Sequence, residues 1–261
     1  MSLIFLITKL PKLERNKPLL ISRKLFIKQV LLCLEESELF DFNLILLLEE
    51  LEKIIYYRSK FQLYNNYELN NKIKIIIKKY SNRSVIDLSN FMWIYDNLPI
   101  NVLFRKWYKS IYNLSQCNFF REWIKFSLNF EEVITAILAK QNKLCKNSFL
   151  QQFYGSFDSS AKTIILNYDD SDLKMYKRFS WYSKVKKYLY NSDFLFVEKE
   201  LNNIKLKEID NIAISDIFSI DTIIAYYFKL RIIERENSFV YENGNKILDQ
   251  ILCNIEDLND Y

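Results

Sequence analysis

Asp169, Asp170 and Asp172 stand close together in the stretch NYDDSDLKMY, and carboxylates at that density could ligate a hard cation. The stretch lacks the central glycine and the closing glutamate of a calcium loop, so helix-start acids are the reading it favours. Glu198 and Glu200 are the next candidates. Lying two residues apart, they do not share a helix face and make no convincing acid–base pair. The four cysteines, Cys33, Cys117, Cys145 and Cys253, are scattered, no CxxC is present, and the sequence has no histidine. That inventory excludes Ser-His-Asp, Cys-His and His-metal designs and argues against a zinc site. With only 2 glycines the chain also has no Walker loop and no dinucleotide fingerprint. The expectation is a chain without catalytic residues, cofactor or metal, which is no enzyme and works by holding partners.

Composition narrows the class further. The chain has 261 residues, of which 50% are hydrophobic and 26% charged, a globular balance with material for a full core. Two glycines and 3 prolines are too few for the turns of an all-β protein, so long helices are expected. The net charge of +5 comes from 37 basic and 32 acidic residues. The longest basic clusters, KIKIIIKK and KVKK, are short and read as solvated helix faces. Most of the 20 phenylalanines, 18 tyrosines and 4 tryptophans fall on apolar stripes, where core packing explains them better than base stacking. No stretch approaches the ~20 apolar residues of a membrane span. The opening MSLIFLITKLPKL lacks the basic start of a signal peptide, and Lys9 interrupts it, so a cytoplasmic protein is expected.

The elements follow from periodicity. Leu3 to Ile7 reads as a short strand or extended arm, because Pro11 makes a helix awkward to continue there. Helices are expected from about Ser22 to Glu36 and over SELFDFNLILLLEELEKIIYYRSKF. On the latter, Phe40, Leu44, Leu47, Leu48, Leu51, Ile54 and Ile55 share a face, with Glu49, Glu50 and Lys53 largely off it. Residues 61–90 are polar and read as a flexible insertion, with a short helix turning Ile73, Ile76 and Ile77 inward. The strongest pattern is NFFREWIKFSLNFEEVITAILAKQN, a helix from Asn118 to Gln141 about 36 Å long. Its apolar stripe includes Trp123, and Arg121, Glu122, Lys125 and Glu132 lie opposite. Residues 142–170 read as irregular. A helical stretch capped at Asp170 or Ser171 follows, then one or two helices over FLFVEKELNNIKLKEIDNI. DIFSIDTIIAYYFKLRIIERE is a well-marked, mostly buried helix, with Ser215 or Ser219 as its cap and Tyr227 on its apolar stripe. A last helix covers NGNKILDQILCNIEDL.

That penultimate segment carries a resemblance. FSIDTIIAYYFKLRIIERE followed by GNKILDQIL resembles the C-terminal signature of a family found with bacterial V-type ATPases. The matching positions are Phe218, Ser219, Ile220, Asp221, Ala225, Tyr226, Lys229, Leu230, Glu234, Arg235 and Gly244. LIFLITKLPKL resembles the family's extended opening, and FFREWIKFSLNFEEVITAILAKQ its central helix. Residues 61–90 match none of its segments, and residues 142–170 depart from its glycine-rich stretch. The family is similar to the C/d subunit of V-type ATPases, known as C in bacteria and as d in eukaryotes. The resemblance implies a single all-α domain over residues 1–261, a multi-helix bundle with funnel-like packing of helix pairs. It implies a non-catalytic rotor subunit on the inner face of the membrane, joining the central stalk to the membrane rotor ring during proton or sodium transport. No direct nucleotide binding is expected. Arg121, Lys125, Lys229 and Arg231 are the candidate partner-binding positions. The alternative is a basic helical scaffold for nucleic acid or an anionic membrane surface.

Overall fold

Helical spacing of the apolar residues becomes ten α-helices among the described residues of the computed structural model. It describes residues 3–15, 17–61, 75–76, 78, 100–152, 159–170, 172–190, 194–213 and 217–238. Among these residues there is no strand. In chain order the helices are α1 (Leu3–Thr8), α2 (Arg23–Cys33), α3 (Glu36–Phe61), α4 (Ile100–Leu114) and α5 (Asn118–Gln141). They continue as α6 (Lys146–Gln152), α7 (Ser159–Leu166), α8 (Tyr182–Tyr190), α9 (Phe194–Ile212) and α10 (Ile220–Ser238).

The N-terminal strand expected over Leu3 to Ile7 is a helix instead. Pro11 bars a helix only from running on through it, and α1 ends at Thr8, clear of the ring. Packing supplies the rest: α1 lies against α2 and α10 and sinks Leu6 into the core. Ser22 caps α2 by accepting a hydrogen bond from the Leu25 N–H at 3.3 Å. The irregular stretch expected over 142–170 holds α6 and α7. Each is too short to show a period, and tertiary docking forms them: Phe149 of α6 stacks on Tyr168 just past α7, with ring centroids 4.4 Å apart. The helix expected from Asp170 starts only at Tyr182. Leu173 and Met175 are both fully buried, a spacing of two that no helix face supplies, and Lys174 between them takes a left-handed φ of 55°. The expected caps Ser171 and Ser215, residues 62–74, 77 and 79–99 and the last helix lie outside the described residues. Ile76 packs on the core, as expected.

Two clusters of buried side chains make the core, and α5 threads both. Phe119, Phe120, Trp123, Ile124 and Leu128 join the first, with α2, α3, α4 and α10. Phe130, Val133, Ala136, Ile137 and Ala139 join the second, with α6 to α9. Phe126 touches both, its ring 5.4 Å from Trp123 and 5.4 Å from Phe130. α10 closes the first cluster against α9, α5, α2 and α1. Its Tyr227 and Phe228 meet Phe26, Phe42 and Trp123 in one continuous aromatic array.

Trp123 and Tyr227 therefore share a core, and removing either ring leaves a cavity the surrounding helices cannot fill. Trp123→Ala and Tyr227→Ala should each lower the unfolding free energy by ~3–5 kcal/mol. Urea unfolding with an unchanged denaturant slope would register this as a lower midpoint. A midpoint unmoved in both variants contradicts the shared core.

Candidate functional site

α3 sets the electrostatics of the interior. Residues 41–49 are buried without interruption, so this half of the helix has no outward face. Glu49, expected off the apolar face, is consequently inside. Two arginines answer it. Arg231 of α10 reaches Glu49 Oε1 with Nη1 at 3.2 Å and Glu52 Oε2 with Nη2 at 3.0 Å. Arg23 of α2 lies 3.6 Å from Glu49 Oε2 and 3.4 Å from Glu234 of α10. The Tyr108 hydroxyl of α4 donates to Glu52. Burial works against charge on Arg231, but Glu52 and Glu49 outweigh it and hold the guanidinium above its ordinary pKa. Burial, then Glu52, pushes the Tyr108 phenol up, and burial, then Glu49, does the same to Tyr227. Glu132, expected opposite the apolar stripe of α5, is also fully buried.

The turn from α4 to α5 is pinned from both sides. Ser115 Oγ donates to Asp41 of α3 at 2.6 Å, and the Gln116 N–H donates to the same oxygen at 3.1 Å. Cys117 caps α5, its Sγ accepting from the Phe120 N–H at 3.3 Å while the thiol donates to Asp221 of α10 at 2.9 Å. Burial, then Asp221, raises the Cys117 pKa, so the thiol stays protonated and unreactive. This pinned corner presents Arg121 and Lys125. Arg121 lies with Cζ 4.8 Å from the Tyr112 ring centroid and donates to its hydroxyl at 3.3 Å. Lys125 Nζ stands 5.5 Å from the same centroid and 2.6 Å from Glu122. The hydrogen bond from Arg121 lowers the Tyr112 pKa despite some burial. Arg105 and Lys109 stand exposed on the stripe of α4 that leads to Tyr112.

The structure joins two of the four candidate partner-binding positions and separates the others. Arg121 and Lys125 share Tyr112. Lys229 turns to Asp210 of α9, while Arg231 turns to α3. A family model described as a protein of unknown function, DUF2764, matches residues 9–258. The chain belongs to the DUF2764 family. No curated protein and no solved structure matches it.

In this DUF2764 chain the motif positions of α10 serve as internal ties. Tyr226, its phenol pushed up to about 12 by burial, donates to the Pro11 carbonyl at 3.0 Å. Glu234 meets Arg23, Arg235 meets Glu198 of α9 at 2.8 Å, and Asp221 holds Cys117. Ala225 and Leu230 are core residues, Ser219 directly precedes α10, Phe218 is exposed, and Gly244 lies outside the described residues. Tyr112 and the Glu49–Arg231 pairing escaped sequence reading because their partners are 9 and 182 positions away; only the i,i+3 spacing of Glu49 and Glu52 hinted at the latter. Among the described residues no three of His, Cys, Asp and Glu gather as metal ligands. The three aspartates at 169–172 are accordingly apart in role: Asp169 pairs with Lys146, Asp170 with Lys174 and Asp172 with Lys186. What the geometry offers is a pinned corner at which two half-buried cations, Arg121 and Lys125, share the Tyr112 ring.

Arg231→Met should cost about 3 kcal/mol, because it strands a buried Glu49 carboxylate. That is the low end of the usual range, since the Arg231 side chain is 38% exposed. Adding Glu49→Gln should recover part of the loss in a double-mutant cycle of chemical denaturation, and strict additivity would contradict the pairing.

Asp41 supplies a pH test. Burial raises its pKa above the ordinary 3.8, against the lowering effect of Ser115 and the backbone amides. An acid raised on folding holds its proton more tightly when folded. Its favourable contribution is complete below the unfolded value and is lost as pH rises through the folded one. Stability relative to Asp41→Asn should therefore fall from pH ~4 towards neutrality, by about 1.4 kcal/mol for each pH unit separating the two values. A pH-independent difference would show that Asp41 is not raised.

Proposed function

We propose that this chain is a non-catalytic subunit of a rotary V-type ATPase, joining the central stalk to the membrane rotor ring at the cytoplasmic face of the membrane. In that role it carries torque between ATP turnover and the transport of protons or sodium ions. The observation that carries the reading is the segment FSIDTIIAYYFKLRIIERE. The residues that resemble the V-type ATPase family signature fall on α10 and its lead-in, the helix against which α1, α2, α5 and α9 pack.

The mechanics support the role. A torque coupler must resist shear between its helices, and close packing gives low compressibility. Ion pairs also cross the interfaces of α10 with α2, α3 and α9, and Arg15 of the N-terminal arm binds Glu236 at 2.8 Å. No helix among the described residues is long and apolar enough to cross a membrane. The contact with the stalk belongs to the α4–α5 corner, where Arg121 and Lys125 stand half-exposed on Tyr112.

A tagged chain expressed in its native host should recover central-stalk and rotor-ring subunits from solubilised membranes. Arg121→Glu with Lys125→Glu should weaken that recovery at least about tenfold, ~1.4 kcal/mol. The fold should lose no more than about 2 kcal/mol, the worth of one ion pair and the two cation–π contacts with Tyr112. Recovery of RNA without ATPase subunits would overturn the reading and favour the nucleic-acid scaffold.

A further inference from the structure

The net charge of +5 is not spread along the chain. Residues 1–34 hold seven basic residues against the single acid Glu14, a balance of +6. The remaining 30 basic and 31 acidic residues balance to −1. Within the first segment Arg15 and Arg23 are turned inward to Glu236, Glu49 and Glu234, and Lys12 and Lys17 flank Glu14. Lys9, Lys24 and Lys28 remain outside, and none of them is ion-paired with a described residue.

The same segment exposes apolar side chains. α2 buries Phe26, Val30 and Cys33 on one side. On the other stand Lys24, Leu25, Lys28 and Leu32, all exposed, where a helix facing water would carry polar residues. Leu20, 81% exposed, leads into the same helix, and Leu32 is 73% exposed; no other large apolar side chain described is as open. α1, packed against α2, exposes Ile4 and Phe5, with Lys9 Nζ 4.5 Å from the Phe5 ring centroid. Neither helix contains a carboxylate.

We propose that the outer face of α1 and α2 lies on the surface of an anionic lipid bilayer. Lys9, Lys24 and Lys28 reach the headgroups, while Ile4, Phe5, Leu20, Leu25 and Leu32 enter the interfacial layer. A protein partner fits less well, because the cores of protein interfaces are depleted of lysine and here lysines alternate with the leucines. A bilayer suits that alternation: long lysine stems lie along apolar surface while the ammonium groups stay among phosphates. A helix used this way rests in the plane of the interface without spanning it. This face is distinct from the α4–α5 corner and does not depend on the rotary reading.

The test is co-sedimentation of the full chain with vesicles of phosphatidylcholine alone or mixed with phosphatidylglycerol. Binding should require phosphatidylglycerol and fall as salt is raised. Each basic residue at such a surface contributes roughly fivefold, so Lys24→Glu with Lys28→Glu should reduce binding at least ~25-fold. Leu25→Ser with Leu32→Ser should also weaken it while preserving its salt dependence. Lys162→Glu with Lys177→Glu, the same charge change at exposed sites elsewhere, should leave it nearly intact. Circular dichroism of each variant checks that the helices persist. Absence of wild-type binding to the anionic vesicles overturns the proposal, as do equal binding to pure phosphatidylcholine and an equal loss in the control variant.

Discussion

A helix buried on every side must find a partner inside the protein for each charge it carries, and that constraint organises this fold. Residues 41–49 of α3 are such a stretch, and they include Asp41 and Glu49. Leaving either carboxylate unanswered would cost more than the helix gains from a few of its leucines. The answers come from distant parts of the chain: Arg23 on α2, Ser115 and Gln116 at the α4–α5 turn, Arg231 on α10. Each answer fixes the position and rotation of a neighbouring helix. Apolar packing alone is tolerant of such rotations, whereas an ion pair or a hydrogen bond to a buried carboxylate is not.

The α4–α5 corner shows how that constraint reaches the surface. Asp41 and Asp221, from helices on either side, hold the turn through Ser115, Gln116 and Cys117. Because Cys117 also caps α5, the first turn of that helix has one orientation, and Arg121 and Lys125 are delivered together onto Tyr112. A binding surface positioned by buried hydrogen bonds loses little conformational freedom when a partner arrives. α5 then carries the same rigidity across the molecule, since its side chains belong to both core clusters.

Charge is used differently at the two ends of the described chain. On α10, Lys229, Arg231, Glu234, Arg235 and Glu236 all meet residues of other segments. The segment that carries the family resemblance is therefore occupied with holding its own fold together. On the outer side of α2 the reverse holds: Arg23 turns inward, but Lys24 and Lys28 stand exposed beside Leu25 and Leu32. Such a distribution separates a stiff interior from an adhesive outer face, and the two can be altered independently by mutation.

Much of the helical architecture was legible in the sequence because long periodic segments declare themselves. Asn118 to Gln141 is bounded in the structure where its pattern begins and ends, and the placement of Trp123 and Tyr227 in one core follows from the stripes they occupy. The scarcity of glycine and proline, together with sustained helical periodicity, pointed to long helices, and no strand occurs among the described residues. Arg121 and Lys125 could be paired from their spacing of one turn, but not with Tyr112, which lies beyond a turn whose shape local sequence does not specify. Periodicity reports which residues share a face, and it assumes that one face is wet. Where tertiary packing covers a helix all round, as over residues 41–49 of α3, or forms short helices by docking them, as in α1, α6 and α7, that assumption fails. The sequence by itself determined the long helices and the residues able to form a core. Only the tertiary structure decided which charges would be buried, because the partner of a buried charge is chosen by proximity in space, and Glu49 and Arg231 become neighbours only when α3 and α10 have packed.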